Sequence, residues 1–290
     1  GFIAVVGRPN VGKSTLINAV IGQKIAIVSP KPQTTRRLQR GIHTTAHEQF
    51  VFCDTPGIHR PRHALGKSML ADAIQALRDA DVVLWVTDIS YMPTGGDRNV
   101  VSRLRMDAGE KPLVLGMNKS DRLRAGDVLP HTEAFRALAP QAAWMLVSAT
   151  RGDNISELLE QLADELPEGP RYYPEDQVTD TRMRGLAGEL LREAALYYLQ
   201  KEIPHGVGVE VEAFDESDGA VARISATIVV ERERHKGIVI GKRGEMLKRI
   251  GTRARREITN MLGVKVHLST YVKVCKDWRN DRQHVARMGY

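Results

Sequence analysis

Gly7-Arg8-Pro9-Asn10-Val11-Gly12-Lys13-Ser14 follows directly on the apolar run 2–6 and opens into the amphipathic stretch 14–21. The octapeptide fits G-x-x-x-x-G-K-[ST], and each fixed position has a chemical reason. The glycines let backbone N–H groups turn inward around phosphate oxygens, and the helix that follows adds its positive N-terminus. Lys13 can reach the β and γ phosphates and the Ser14 hydroxyl can ligate Mg²⁺, with Asn10, Val11, Gly12 and Thr15 completing the cradle. A strand, a glycine loop and a helix in that order place a phosphate site at the carboxyl end of the first strand of an α/β sheet.

Outward from this loop, the runs 49–54, 82–88 and 113–118 are apolar and end in polar residues. Helical periodicity lies between and after them, near 65–78, 97–105 and 153–166. Such alternation predicts a mostly parallel sheet flanked by helices, with the ligand at the carboxyl ends of the strands. The residues at those ends agree. Asp54-Thr55-Pro56-Gly57 closes one strand, where Asp54 can hold Mg²⁺ through a water and the Gly57 N–H can meet a γ-phosphate. Asn118-Lys119-Ser120-Asp121 closes another. Guanine presents two adjacent donors, N1–H and the exocyclic amine, that one carboxylate accepts together. Asp121 therefore selects guanine over adenine, which lacks that pair. Lys119 can lie across the base, and Asn118 can tie its loop to the phosphate loop. After the apolar run 144–147, Ser148-Ala149 can offer a backbone N–H to the guanine oxygen. GTP or GDP with Mg²⁺ is the implied ligand.

Pro167-Glu168-Gly169-Pro170 breaks the alternation and predicts a boundary between a nucleotide domain, 1–170, and a second domain, 171–290. The second part reads as an α+β unit: a helix near 183–200, strands near 207–214 and 221–230, a short helical turn leading into Gly241, a helix near 245–262 and a strand near 264–274. Charge singles it out too. The chain has 42 Lys+Arg against 35 Asp+Glu, a net of +7. Residues 231–256 alone hold ten Lys/Arg and three acids, a net of +7 as well. Such a local excess points to a polyanion, nucleic acid ahead of a membrane surface. Inside it, Gly241-Lys242-Arg243-Gly244 fits the G-x-x-G loop that clamps about four nucleotides of a single strand. Lys242 and Arg243 supply charge, Ile238, Val239 and Ile240 offer an apolar floor for unstacked bases, and Lys248 and Arg249 extend the positive surface, followed by Arg253, Arg255 and Arg256.

The set G-R-P-N-V-G-K-S, D-T-P-G, N-K-S-D and S-A resembles the translation-factor-related class of P-loop GTPases. That resemblance implies a switch threonine in the Mg²⁺ shell, and Gln33-Thr34-Thr35-Arg36 fills the slot, Thr35 favoured over Thr34. Lys13, Thr35, Gly57 and Asn10 are then the residues expected to serve hydrolysis. After Gly57 stands Ile58, where a Ras-like enzyme carries a water-orienting Gln. Slow intrinsic turnover is therefore expected. GTPases similar to this one can place K⁺ where others place an arginine finger, held partly by a phosphate-loop Asn, here Asn10. The helix–strand–strand–helix–helix–strand order is similar to a type II KH domain. A P-loop GTPase followed by such a domain resembles the Era family over essentially the whole chain. The resemblance implies binding to 16S rRNA near its 3′ end and assistance to small ribosomal subunit assembly. It also implies a cytoplasmic monomer with peripheral association at the inner face of the membrane. Two rivals stay open on the residues alone: an RNA-binding chaperone with a structural nucleotide domain, and a peripheral membrane GTPase.

Other features carry less. A composition of 42% hydrophobic and 27% charged residues excludes a disordered chain, and two cysteines exclude a disulfide scaffold. Cys53, Trp85 and Trp144 are expected in the core. Trp278 is expected either as a packing anchor or as a base-stacking platform, the former preferred. His43 and His47 lack the company for a metal site. Gly1 opens the chain without Met, so residues upstream are expected to have been lost and a targeting signal stays open.

Overall fold

A computed structural model describes residues 1–31, 33–58, 61 and 63–290. It divides into two compact units. The first holds residues 1–26, 35–62 and 66–180, and the second holds 27–34, 63–65 and 181–290.

The first unit contains β1 (Phe2–Val6), α1 (Lys13–Ile21), β2 (Gln39–Thr44), β3 (Gln49–Asp54), α2 (Ala64–Asp79), β4 (Val82–Asp88), α3 (Gly95–Asp107), β5 (Leu113–Asn118), α4 (Val128–Arg136), β6 (Ala143–Leu146) and α5 (Ile155–Glu165). The sheet runs β2-β3-β1-β4-β5-β6, parallel throughout except for β2, which pairs antiparallel with β3. β3 and β4 are buried along their whole length, which is why they read as unbroken apolar runs. Ile3 and Val5 pack with Leu16, Ile17 and Leu158 on one face, while Ala4 and Val6 pack with Trp85, Leu104 and Phe135 on the other.

Two elements escape the sequence pattern for physical reasons. β2 (Gln39–Thr44, QRGIHT) is a polar edge strand without clean alternation, and α4 has Pro130 in its first turn, where proline's missing N–H costs nothing. Trp144, expected in the core, is 38% exposed on the edge strand β6, with the Arg136 guanidinium 4.9 Å from its ring centroid. Cys53 is buried in β3, where burial pushes its thiol up to about 11.

The end of the first unit differs from the division at 170/171. Residues 171–180 run along the β2 edge. The Ile42 N–H donates to Val178 O at 2.9 Å and Thr179 Oγ1 to Arg40 O at 2.7 Å. Arg40 pairs with Asp180 at 2.7 Å. Gln49 Oε1 accepts from the N–H groups of Tyr172 and Tyr173, and the Tyr172 ring lies 4.9 Å from Phe2. A Pro-Glu-Gly-Pro stretch marks a turn, but these hydrogen bonds carry the unit ten residues further.

The second unit contains α6 (Met183–Tyr198), β7 (Gly208–Asp215), β8 (Val221–Val230), α7 (Glu233–Ile240), α8 (Glu245–Leu262), β9 (Lys265–Val274) and α9 (Arg282–Arg287). The sheet order is β7-β8-β9, antiparallel between β7 and β8 and parallel between β8 and β9. One face of this mixed sheet carries Ile224, Ala226 and Ile228, which pack with Leu191, Ala195, Val239, Ile250 and Ala254 from the helices. Trp278 is fully buried and donates from Nε1 to Gly206 O at 3.0 Å, so it is a packing anchor. Among the described residues, no helix is long and apolar enough to cross a membrane.

Candidate functional site

The phosphate loop depends on close approaches that only glycine permits. A Cβ on Gly12, at φ +102°, would lie 2.2 Å from Asn118 Nδ2, and one on Gly57 would lie 2.9 Å from Pro9. Asn118 reaches across to donate from Nδ2 to Val11 O at 2.8 Å. Asn10 is exposed, with φ 66°, a left-handed conformation that asparagine tolerates better than most side chains. Arg8 anchors the loop from outside, with Nε 2.8 Å from Asp97 Oδ1 at the start of α3. The other Asp97 oxygen accepts from the Thr94 N–H and hydroxyl at 2.8 Å. Thr15 follows Ser14 in the first turn of α1.

Lys13 is buried, and its ammonium donates to the carbonyls of Gly7 and Arg8 at 3.4 and 3.3 Å. Burial pushes the Lys13 amine down and the Asp54 carboxyl up, each opposed by the other's charge. Asp54 Oδ2 accepts from Ser14 Oγ at 2.6 Å and lies 3.3 Å from Thr35 Oγ1, and the two hydroxyls are 3.0 Å apart. Asp54 Oδ1 is buried without a hydrogen-bond partner among the described residues. Two hydroxyls and a carboxylate with one orphaned oxygen form an all-oxygen donor set, the chemistry Mg²⁺ takes. The residues fit the ion. Thr34 is elsewhere: its hydroxyl donates to Lys31 O at 2.7 Å and lies 3.3 Å from Ser29 O. Ile58 is buried among Val6, Trp85 and Val100, in the core on the other side of Gly57. Beside the threonine slot and after Gly57, Pro32, His59, Arg60 and Arg62 lie outside the described residues.

At the base-reading end, Lys119 donates to Asn10 O at 2.7 Å and to Asp88 Oδ2 at 2.5 Å. Asp88, at the end of β4, also accepts from the Ser90 N–H at 3.1 Å. Sequence reading passed over Asp88; the signal available was an acid closing an apolar strand beside the N-K-S-D strand. Ser148 Oγ donates to Asp121 Oδ1 at 2.7 Å and orients that carboxylate. The backbone of 148–149 is engaged differently from the expectation. The Ser148 N–H donates to Asp153 O at 3.1 Å and the Ala149 N–H to Asn118 Oδ1 at 3.0 Å. Ala149 thus supports Asn118 in this structure, because a carbonyl-type acceptor lies within reach.

In the second unit, Gly241 ends α7 with φ +74°, Arg243 has φ 52° and Gly244 has φ +79°. A Cβ on Gly241 would lie 2.7 Å from Met246 Cβ, so a side chain there disturbs packing as well as the loop. Lys242 and Arg243 are exposed. The expected apolar floor is only partly present. The run 238–240 is the last turn of α7, the expected helical turn leading into Gly241, but Ile238 is 49% exposed and Val239 is fully buried in the core. The helical period that aims Ile238 outward aims Val239 inward. Lys248 is exposed on α8, whereas the Arg249 guanidinium lies 4.6 Å from the Tyr198 ring centroid, toward α6.

Residues 2–119 match the 50S ribosome-binding GTPase family, and residues 202–279 match the KH domain family. GTPase Era of Lacticaseibacillus paracasei is 44% identical over 290 residues, covering 100% of this chain and 96% of that protein. GTPase Era of Leuconostoc citreum is 45% identical over 292 residues, with the same coverage of 100% and 96%. Two solved structures superpose along the full chain. Era in complex with MgGDPNP and nucleotides 1506–1542 of 16S ribosomal RNA has a TM-score of 0.95 and 38% identity, covering 100% of this chain and 98% of that one. An Aquifex aeolicus Era variant bound to GDP·AlF4⁻ has a TM-score of 0.94 and 37% identity, again covering 100% and 98%.

Proposed function

The chain belongs to the Era family of GTPases, and from that premise we propose that it is a GTP-hydrolysing switch that binds 16S rRNA near its 3′ end. It assists small ribosomal subunit assembly, as a monomer in the cytoplasm. The observation that carries the reading is the meeting of Ser14, Thr35 and Asp54 within hydrogen-bonding reach beside the buried Lys13. The Era protein solved with RNA holds a stretch from nucleotide 1506 to 1542, far longer than the about four nucleotides a G-x-x-G loop clamps.

Lys13 and the inward N–H groups of the phosphate loop meet the charge that develops on the transferred phosphoryl group. Ser14 and Thr35, with Asp54 acting through a water, would hold Mg²⁺, which would supply positive charge against the phosphates. Asp121 accepts both guanine donors while Ser148 fixes its carboxylate, and Lys119, braced by Asp88, covers the base. Ile58 has no polar atom to orient the attacking water and its side chain is committed to the core. Hydrolysis therefore rests on positioning and positive charge, and turns over slowly without help.

One source of that charge would be a potassium ion, which Asn10 would help to hold. A cation in the arginine-finger position is worth up to 10³–10⁵ in rate, and we expect about ten-fold or more faster single-turnover hydrolysis in K⁺ than in Na⁺. Equal rates in the two salts would remove potassium from the mechanism and leave Asn10 as a loop-shaping residue. The switch itself is tested by a thermodynamic cycle. RNA affinity is expected to differ by about 5–150-fold between the GDP and GTP-analogue forms, and RNA must change nucleotide affinity by the same factor. Identical RNA affinities in both forms would leave two independent activities on one chain.

A further inference from the structure

The phosphate loop depends on supports from outside it. Asn10 and Gly12 have φ of 66° and 102°, and a backbone bent this way persists only where its surroundings over-determine it. Two supports come from the base-reading motif: Asn118 donates to Val11 O and Lys119 to Asn10 O. They fix the second half of the loop. The first half, Arg8-Pro9, is held from elsewhere. Arg8 Nε donates to Asp97 Oδ1 at 2.8 Å, while the Arg8 carbonyl accepts from the Lys13 ammonium at 3.3 Å. The residue that receives the phosphate-binding cation on its backbone is therefore fastened through its side chain to α3.

The start of α3 is shaped for this strut in two respects. A capping box asks its acidic residue only to accept from the cap N–H. Asp97 does so with Oδ2, which accepts from the Thr94 N–H and hydroxyl, and it turns Oδ1 to Arg8. The carboxylate is buried, where a charge-assisted bond to a guanidinium is stronger than at a wet surface. Beside it, Gly96 stands in the first turn of α3 despite its poor helix propensity. A Cβ there would lie 2.5 Å from Arg8 Cδ, so the glycine clears the path of the arginine stem. On the other side of the loop, a Cβ on Gly57 would lie 2.9 Å from the Pro9 nitrogen. Arg8-Pro9 is thus wedged between α3 and the glycine expected to meet the γ-phosphate.

We propose that Asp97 is a positioning residue for nucleotide binding: acting through Arg8, it holds the phosphate loop ready for phosphates whatever base they carry, and it ties the cap of α3 to the filling of the loop. Without the strut, Arg8-Pro9 samples other conformations and the incoming phosphates must order it, which lowers affinity. Once they have done so, Lys13 stands where it stood before. The loss therefore falls on binding and little on the rate from the bound state. Asp121 and Ser148 share no bond with the strut, so the choice of base is untouched. By linkage, nucleotide steadies the strut as much as the strut favours nucleotide. The amides at the start of α3 then exchange more slowly once the loop is filled.

The strut rests on the nucleotide-binding reading above, and a parent chain that binds no GDP would defeat both. In a parent that binds, R8M keeps the stem beside Gly96 and removes the fork, while D97N keeps an acceptor for Thr94 and removes the charge. Affinities of the full chain are measured for GDP, for a non-hydrolysable GTP analogue and for inosine diphosphate, which lacks the exocyclic amine. Each variant is expected to weaken all three about ten-fold, the scale of a hydrogen bond to a charged group. The ratio of GDP to inosine diphosphate affinity should stay within about two-fold, and single-turnover hydrolysis at saturating GTP within about three-fold. R8M/D97N should be no weaker than either single variant, because all three lose the same bond. R8K, which keeps a cation beside the carboxylate, should recover part of the affinity. Hydrogen exchange at residues 94–98 should be slowed by GDP in the parent and not in R8M. If D97N unfolds, R8M and R8K carry the comparison. A lowered melting temperature with GDP affinity unchanged would reduce the pair to a helix cap and overturn the proposal. A changed GDP to inosine diphosphate ratio would put the pair in the service of base reading and overturn it too. So would additive losses in the double variant, or protection of 94–98 that persists in R8M, since α3 would then answer to the nucleotide through another contact.

Discussion

Lys13→Ala is expected to lower single-turnover GTP hydrolysis by about 10²–10³-fold or more. The ammonium is buried at the turn of the phosphate loop, where it satisfies itself on the carbonyls of Gly7 and Arg8. Those bonds are long for a cation, so a phosphate oxygen competes well for the same donor. Alanine removes the charge from the place where negative charge develops and leaves Asp54 without its countercharge. RNA affinity in the nucleotide-free chain should stay within about two-fold, because the loop at Gly241–Gly244 shares no partner with Lys13. Quench-flow hydrolysis beside an RNA filter-binding titration separates these readouts. A variant that still turns over within ten-fold of the parent would place the main charge stabilisation elsewhere, as about ten-fold is too small for loss of a central phosphate donor.

Asp121→Asn is expected to cost guanine nucleotides about 10⁴ in affinity, the scale on which a site built for hydrogen bonds rejects the wrong partner. The carboxylate accepts two donors on the guanine edge, and an amide turns one of those acceptors into a donor that faces the exocyclic amine. A base with a carbonyl oxygen in place of that amine restores the match, so a xanthine nucleotide should now bind better than a guanine one. Ser148 Oγ, 2.7 Å from Asp121 Oδ1, can hold an amide oxygen equally well, so the variant keeps its loop. Competition between guanosine and xanthosine diphosphates on one protein sample reads the outcome directly. Equal weakening of both would mean that Asp121 matters for holding its loop and not for reading the base.

Much of this site is readable from residue order because its chemistry is carried by short contiguous motifs at strand ends. The Gly7–Ser14 loop, Asp54, Asn118 and Asp121 need only a strand before them to be placed, and long apolar runs announce those strands. What sequence could not reveal depends on partners distant along the chain. Asp88 braces Lys119 across 31 positions. The amide of Ala149 turns to Asn118 instead of outward, since its direction is set by a loop closure that no local pattern encodes. In the second unit, the run 238–240 reads as uniformly apolar, yet a helical period separates exposed Ile238 from buried Val239. The basic residues of α8 likewise form one stretch in sequence but divide in space, since Gly251 lies against Thr270 of β9 while the Arg253 and Arg249 guanidinium groups stack on Tyr197 and Tyr198 of α6.

The strip of residues 171–180 along β2 has a practical consequence for anyone who shortens this chain. β6, at the far edge of the large sheet, is only four residues long. β2 has six, and its outer edge is occupied by Val178 and Thr179. A fragment ended at the Pro-Glu-Gly-Pro turn would leave that edge bare, with unpaired backbone donors and acceptors in a row. Bare edges recruit other bare edges, and two such fragments would join through their β2 strands. A nucleotide-binding fragment meant to stay dispersed at high concentration should run through Asp180, so that the chain supplies its own cover against self-association.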